Sequence, residues 1–175
     1  MTIMQSTTST TSAYEEYAAA AWPNLYRVAY LLSGAHADAE DLAQQALVKV
    51  FRNWGRVSAS DSPDAYVRRI LTNTYLSSRR PLRLQREVIT DRLPDTVVEP
   101  GTAAREQRLL LWPHVQALPP RQRAVVVLRY YEDLSEQQIA DTLGCSTGTV
   151  KSNAHKALNT LRASLSESPA DGKEA

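Results

Sequence analysis

The sequence predicts an all-α protein: two small helical domains joined by a flexible linker, the C-terminal one a helix-turn-helix. Three observations carry this. Apolar residues recur at three- and four-residue spacings along most of the 175 residues, and no stretch alternates with the period of two that marks a half-buried strand. Pro81, Pro94 and Pro100-Gly101 interrupt the helical pattern, and helices do not pass through such a stretch. From Leu134 to Leu161 a short amphipathic segment, a turn opening on Gly144 and a longer amphipathic segment follow one another, the signature of a helix-turn-helix.

The elements follow in order. Residues 1–13 are rich in Ser and Thr and hold little apolar surface to offset ordering entropy, so they are expected to be disordered. Residues 14–80 read as a helical bundle. Leu25, Val28, Ala29 and Leu32 mark one helix, which Ser33-Gly34 breaks. Asp38 is placed to cap the next, whose apolar stripe is Leu42, Ala43, Ala46, Leu47, Val50, Phe51 and Trp54, with Gly55 ending it. A polar loop from Ser58 leads to Pro63, a favoured first helical residue, and a helix over about 64–78 with Tyr66, Ile70, Leu71, Thr74 and Tyr75 inward. Residues 81–104 form the linker. Residues 105–165 form the second domain: a helix to about 117, a break at Leu118-Pro119-Pro120, a helix over 121–131, then Glu136–Leu143 and Thr147–Leu165. Ser135 and Gln138 make a capping-box pattern, and Val150, Ala154, Leu158 and Leu161 line the last helix's buried side. Residues 166–175, with Pro169 and Gly172, read as a disordered tail.

The net charge of +1 argues, taken whole, against a polybasic nucleic-acid binder. Its distribution reverses that. Residues 1–47 carry net −4, residues 48–92 net +6 and residues 121–162 net +2. Such asymmetry suggests more than one partner, although a charge run alone is more often a solvated helix face. No apolar run reaches the ~18 residues of a membrane span, and no secretory leader pattern opens the chain. With Cys145 alone there is no internal disulfide, and a reducing, cytoplasmic setting is expected. His36, His114 and His155 fall in separate segments, away from metal-ligand spacing, and no phosphate loop, nucleophile elbow or dinucleotide fingerprint occurs. An enzyme, a metal site and a cofactor are therefore not expected.

Two helices carry candidate chemistry. The second helix of the helix-turn-helix presents Thr147, Thr149, Lys151, Ser152, Asn153 and Lys156, and Thr147–Arg162 contains three basic residues and no acidic one. Such a helix can enter a major groove, reading base edges with its first turns and meeting phosphates with Lys and Thr. The bland alternative is a hairpin that only packs. The 64–80 segment carries Arg68, Arg69, Asn73, Arg79 and Arg80 beside Tyr66 and Tyr75. Cations interleaved with aromatics suit a single strand, whose bases stack and phosphates pair. On these residues alone, a core of tyrosines with solvated arginines is an equal reading.

Asp38-Ala39-Glu40-Asp41-Leu42-Ala43-Gln44-Gln45-Ala46-Leu47-Val48-Lys49-Val50-Phe51 resembles the core-polymerase-binding segment of bacterial sigma factors. Leu118-Pro119-Pro120-Arg121-Gln122-Arg123, then Leu134–Gly144 and Gly148-Thr149-Val150-Lys151-Ser152, resemble their second DNA-binding domain. The order and the linker are those of the extracytoplasmic-function (ECF) group of the sigma-70 family, over about residues 14–165. The resemblance implies that Asp38, Asp41, Gln44, Gln45 and Lys49 bind core RNA polymerase through the clamp helices of its large subunit, with the flap as a second contact. It implies that the Ser58–Asp64 loop and Arg68, Arg69, Asn73, Arg79 and Arg80 open and hold the −10 promoter element. The linker would pass near the RNA exit path, and Thr147, Thr149, Lys151, Ser152, Asn153 and Lys156 would read the −35 element. An anti-sigma factor, where there is one, would mask the same surfaces. Asn153 stands where many of the group carry Arg; Asn pairs with adenine and Arg with guanine, so a different −35 preference is expected. Cys145, in the turn, reads as a small buried apolar group rather than a redox switch. The competing readings are an operator-binding regulator with the same helix-turn-helix, and an adaptor or anti-sigma partner.

Overall fold

The first helix, α1 (Ile3–Ser33), shows what the N-terminal sequence does in place of the expected disorder. No Gly or Pro interrupts residues 1–22. Burial of Leu25, Val28, Ala29, Tyr30, Leu31 and Leu32 secures its C-terminal half. Adding turns to an existing helix requires no new nucleus, and each Ser or Thr costs only a few tenths of a kcal/mol in propensity. The helix therefore continues back through the Ser/Thr run. The computed structural model describes residues 3–79 and 111–166, with side chains from residue 11. Arg80, the 81–104 linker, the expected helical residues 105–110 and the tail beyond Ser166 lie outside the described residues.

The chain divides into two units, Met1–Ile89 and Thr90–Ala175, a division that falls within the predicted linker. No strand occurs among the described residues. In the first unit α1 ends at Gly34, whose φ of 90° lets its N–H reach the Tyr30 carbonyl at 2.8 Å. Helix α2 (His36–Arg52) begins two residues before Asp38. The N-cap is Ala35, with no side-chain cap, and Asp38 instead sits in the first turn, where a negative charge suits the helix dipole. Ala39, Ala43 and Ala46 are fully buried, small enough for α2 to lie close against its neighbours. Phe51 faces outward, half exposed, unlike the inward position its spacing suggested.

Gly55 does not end α2. The break comes at Asn53, whose side chain donates to the Lys49 carbonyl (2.8 Å) and whose N–H bonds to that of Val50 (3.0 Å). Gly55 lies inside a short helix, α3 (Trp54–Ser58), which buries Trp54 and Val57. Helix α4 (Pro63–Ser78) starts as expected, with Pro63 first and the Ser62 hydroxyl accepting from the Ala65 N–H. Its buried side is Val67, Leu71, Thr72, Thr74 and Tyr75. Thr72 and Thr74 satisfy their hydroxyls on the Arg68 and Ile70 carbonyls, which makes their burial tolerable. Tyr66 and Ile70 are only half-buried, at the edge of a cleft described below.

In the second unit the described part of α5 covers residues 111–117. Helix α6 (Pro120–Tyr130) buries five consecutive residues, Ala124 to Leu128, as a helix enclosed on all sides must. Arg123 folds back to α5, donating to the Gln116 side chain at 3.0 Å, to the Gln116 carbonyl and to that of Leu118. Helices α7 (Glu136–Leu143) and α8 (Thr147–Ser166) complete it. Val125, Leu128, Ile139, Ala140, Val150 and Ala154 form one core cluster, with Cys145 packed on its edge. Val115, Leu118, Val126 and Ala157 form another, with Leu161 against it. Leu158, expected inside, is half-buried, and Ala157 takes the inner position.

Candidate nucleic-acid interface

On α2 the residues Asp38, Asp41, Gln44, Gln45 and Lys49 are all exposed. The stripe Ala39, Leu42, Ala43, Ala46 and Val50 turns inward, which leaves Asp41 and Gln44 on the far side of a 3.6-residue helix and Asp38, Gln45 and Lys49 along the flank of the stripe. Two amides are held by carboxylates one turn back: Gln44 donates to Glu40 at 3.2 Å and Gln45 to Asp41 at 2.9 Å.

Helix α4 packs against α2, so residues far apart in sequence share two clefts. One, of about 220 Å³, is bordered by Asp38, Asp41 and Gln45 of α2, by Tyr75 and Ser78 of α4, and by Arg79. The Arg79 guanidinium lies 3.4 Å from the Asp38 carboxylate, donates to the Ser33 carbonyl and stands 5.7 Å above the Tyr75 ring. Arg79, expected to meet the promoter strand, thus pairs with an acid expected to meet polymerase. The other cleft, about 420 Å³, is lined by Lys49, Tyr66, Arg69, Ile70, Asn73, Thr74 and Ser77. Lys49 donates to Thr74 Oγ1 at 2.9 Å. Two cations, an aromatic edge, an amide and hydroxyls around a cavity of this size can pair a phosphate and stack a base. Arg68 lies half-buried outside that lining.

Two tyrosines of α1 that the sequence did not single out border the same unit. Tyr14 packs edge-on against Phe51 and Trp54, with centroids at 4.9 and 5.6 Å, and donates to the Leu47 carbonyl at 3.1 Å. Burial raises its pKa. Tyr17 lies 5.2 Å from Trp54 and donates to Asp64 Oδ1 at 2.7 Å. Burial first, then the hydrogen bond to the Asp64 carboxylate and its charge, raise the Tyr17 pKa. The only signal in the sequence was a Tyr pair at three-residue spacing beside a segment read as disordered.

In the second unit the motif is built by local chemistry. Ser135 accepts from the Gln138 N–H at 3.3 Å while the Gln138 side chain accepts from the Ser135 N–H at 2.9 Å, a complete capping box. Gly144 takes φ 62°, a left-handed conformation that a Cβ penalises, and turns the chain into α8. Ser146 caps α8, accepting from the Thr149 N–H at 3.1 Å and sharing a 3.0 Å hydrogen bond with the Thr149 hydroxyl. That cap was readable as a Ser three residues before a Thr. Lys151, Ser152 and Lys156 are exposed; Thr147, Thr149 and Asn153 are half-buried. The Asn153 amide donates back to the Thr149 carbonyl at 2.9 Å. Glu136, at the start of α7, holds Lys151 at 3.5 Å and Arg129 at 3.3 Å. That three-residue network crosses α6, α7 and α8, which is why residue spacing did not reveal it.

Among the described residues no helix is long and apolar enough to cross a membrane, and no group of three or more His, Cys, Asp or Glu side chains is placed to hold a metal ion.

Comparison with known proteins assigns both units. Residues 19–84 match the sigma-70 region 2 family and residues 115–161 the sigma-70 region 4 family. The chain is 39% identical over 160 residues to the RNA polymerase sigma-E factor of Streptomyces avermitilis, covering 91% of this chain and 89% of that one. It is 33% identical over 158 residues to the ECF RNA polymerase sigma factor SigL of Mycobacterium tuberculosis, covering 88% and 87%. In fold it resembles the sigma factor RpoE solved with the anti-sigma factor NepR from Bartonella quintana, with a TM-score of 0.69, 22% identity and coverage of 90% and 99%. It also resembles CnrH solved with the cytosolic domain of CnrY, at a TM-score of 0.59, 21% identity and coverage of 90% and 91%. With both regions matched in order and these two relatives aligned over nearly nine-tenths of their length, the chain belongs to the ECF group of the sigma-70 family of RNA polymerase sigma factors.

Proposed function

We propose a division of labour between the surfaces of a chain that, as a sigma factor, binds core RNA polymerase and directs promoter-specific transcription initiation. The outer face of α2, through Asp38, Asp41, Gln44, Gln45 and Lys49, docks on the clamp helices of the large polymerase subunit. The Ser58–Asp64 segment, α4 through Arg68, Arg69 and Asn73, and the following Arg79 and Arg80 hold the opened −10 strand. Helix α8, through Thr147, Thr149, Lys151, Ser152, Asn153 and Lys156, reads the −35 duplex while its unit rests on the polymerase flap. The observation that carries the −10 assignment is the cleft in which Arg69 and Asn73 converge beside Tyr66, with Lys49 of the docking helix on its border. Flipping a base out of the stack costs a few kcal/mol, which stacking and phosphate pairing in such a cleft can offset.

The half-buried, helix-bonded Asn153 bears on −35 readout. Its amide is committed to the Thr149 carbonyl. In this reading it either exchanges that bond for a base edge or leaves base reading to its neighbours, and Lys151 and Lys156 supply phosphate contacts. The solved structures of RpoE and CnrH are complexes with NepR and with CnrY, which supports a protein inhibitor covering the same surfaces here. The linker over 81–104 then runs toward the RNA exit path, and the chain works in the cytoplasm with its polymerase. The operator-binding regulator is not favoured, because residues 19–84 match sigma region 2.

Run-off transcription with purified core polymerase tests the assignment as a whole. A promoter-specific transcript that disappears when −10 or −35 is scrambled is expected. Absence of both core binding and any specific transcript overturns it.

A further inference from the structure

One side chain touches both helices that flank the loop assigned to the −10 strand. Residues 59–62 join α3 to α4, and Ala59, Asp61 and Ser62 are exposed. Short-range hydrogen bonds shape this loop: Ser60 bonds through its N–H and its hydroxyl to the Val57 carbonyl, and Ser62 caps α4. None of these ties the loop to the rest of the bundle. Tyr17 of α1 does so from outside. Its ring lies 5.2 Å from that of Trp54, the first residue of α3. Its hydroxyl donates at 2.7 Å to Asp64, in the first turn of α4, across a sequence separation of 47 residues. The helix before the loop and the helix after it are thereby both referred to α1.

We propose that Tyr17 is a positioning residue for the 59–62 loop, and through it for the promoter strand, a role that rests on the −10 assignment above. Two physical effects support it. Fixing the two helices that bound a short loop restricts conformations that would otherwise be lost when the strand binds, which raises affinity through preorganisation. Tyr17 also directs the Asp64 carboxylate toward α1, where a hydrogen bond to a charged acceptor stabilises it. Released, that carboxylate stands beside a loop meant to hold an anionic strand and repels it. Arg68, one turn along α4, is near enough for its charge to act on the Tyr17 hydroxyl, so acid, phenol and guanidinium form one electrostatic group.

The test uses the full chain assembled with core polymerase. Tyr17→Phe keeps the ring on Trp54 and removes only the bond to Asp64. Permanganate reactivity of the −10 bubble is expected to fall about 5-fold, equal to about 1 kcal/mol. Core affinity and −35 duplex affinity, read on the same preparations, are expected to stay at parental values. Tyr17→Phe combined with Asp64→Asn removes the released charge and is expected to recover much of the loss, which a merely destabilised fold would not do. Unchanged opening in Tyr17→Phe, with the parent active, overturns the positioning role and leaves the −10 assignment standing. A parallel loss of core affinity also overturns it, because the tyrosine then serves the fold as a whole. A parent holoenzyme that transcribes but opens no bubble over −10 overturns both.

Discussion

The two units build their candidate surfaces by different means. In the C-terminal unit the motif is local: Ser135 and Gln138 cap α7, Gly144 turns the chain, Ser146 caps α8, and all lie within a dozen residues. In the N-terminal unit the clefts are tertiary: Asp38 meets Arg79 across 41 residues and Lys49 meets Thr74 across 25. A local motif places a reading surface by backbone geometry. A tertiary cleft places it by packing two helices, so its contents can change when that packing or its partners change.

The sharpest way to break this comparison is to remove cations from one unit and read both functions. Lys151→Ala with Lys156→Ala is expected to weaken −35 duplex binding by roughly 10-fold or more at moderate salt and to lower the salt slope by about one per lysine. Bubble formation on a promoter already bound through −35 should be little changed. Arg79→Ala should do the reverse. Filter binding across a salt series and permanganate footprinting check the two halves. An unchanged duplex affinity after loss of both lysines removes α8 from the reading surface.

Capping gives a smaller effect with opposite signs in the two units. Ser135→Ala removes one half of a complete capping box and should cost about 1 kcal/mol. Ala35, by contrast, occupies an N-cap position with φ −134° and ψ 146° and no side-chain cap. Ala35→Ser offers an acceptor to α2 at a backbone already suited to it and should gain about 0.5–1 kcal/mol. Thermal unfolding of the full chain measures both. A loss at position 35 would mean that its β-carbon, not its missing cap, matters there.

The same contrast explains what the sequence made legible. The capping box, Gly144, the Pro63 start of α4 and the apolar stripe of α2 as far as Val50 are local patterns, and they appear where spacing put them. The failures are tertiary or competitive. Asn53 ends α2 through its own side chain, ahead of the more conspicuous Gly55. Helix α1 runs back through a Ser/Thr segment whose composition suggested disorder, because an adjacent buried stretch supplies the nucleus. The Arg79–Asp38 pair, the Glu136 network and the Tyr17–Asp64 bond involve residues whose spacing carries no period. The helix-turn-helix was therefore legible almost entire, whereas the cleft proposed for −10 was legible only as a list of residues on one helix.

Gly148 separates folding from function within the local motif. Its conformation does not require glycine, and a β-carbon there would meet only the Ser146 hydroxyl at an ordinary 3.7 Å. Gly148→Ala should thus stabilise α8 by about 0.5 kcal/mol. The same methyl stands on the first turn proposed to enter the groove, where glycine permits close approach, so −35 affinity should fall as stability rises. A rise in both would show that the DNA keeps its distance from this turn.

The smallest effect belongs to the Arg79–Asp38 pair, and its smallness is informative. The side chains are 31% and 60% exposed, and the separation is 3.4 Å. An exposed pair of this kind is worth roughly 0.2–0.5 kcal/mol, because water screens it and ordering two side chains opposes it. A double-mutant cycle with Arg79→Ala and Asp38→Asn should return a coupling in that range in the free chain. Under the proposed roles, such a weak link would let Arg79 exchange Asp38 for a phosphate at little cost and let Asp38 turn to polymerase. If polymerase takes Asp38, the coupling should vanish in holoenzyme while the effect of Arg79→Ala on promoter opening remains. A coupling above about 2 kcal/mol in the free chain would instead make the pair part of the fold. Arg79 would then be a strut between α2 and α4, and the −10 assignment would rest on the Lys49, Arg69 and Asn73 cleft alone.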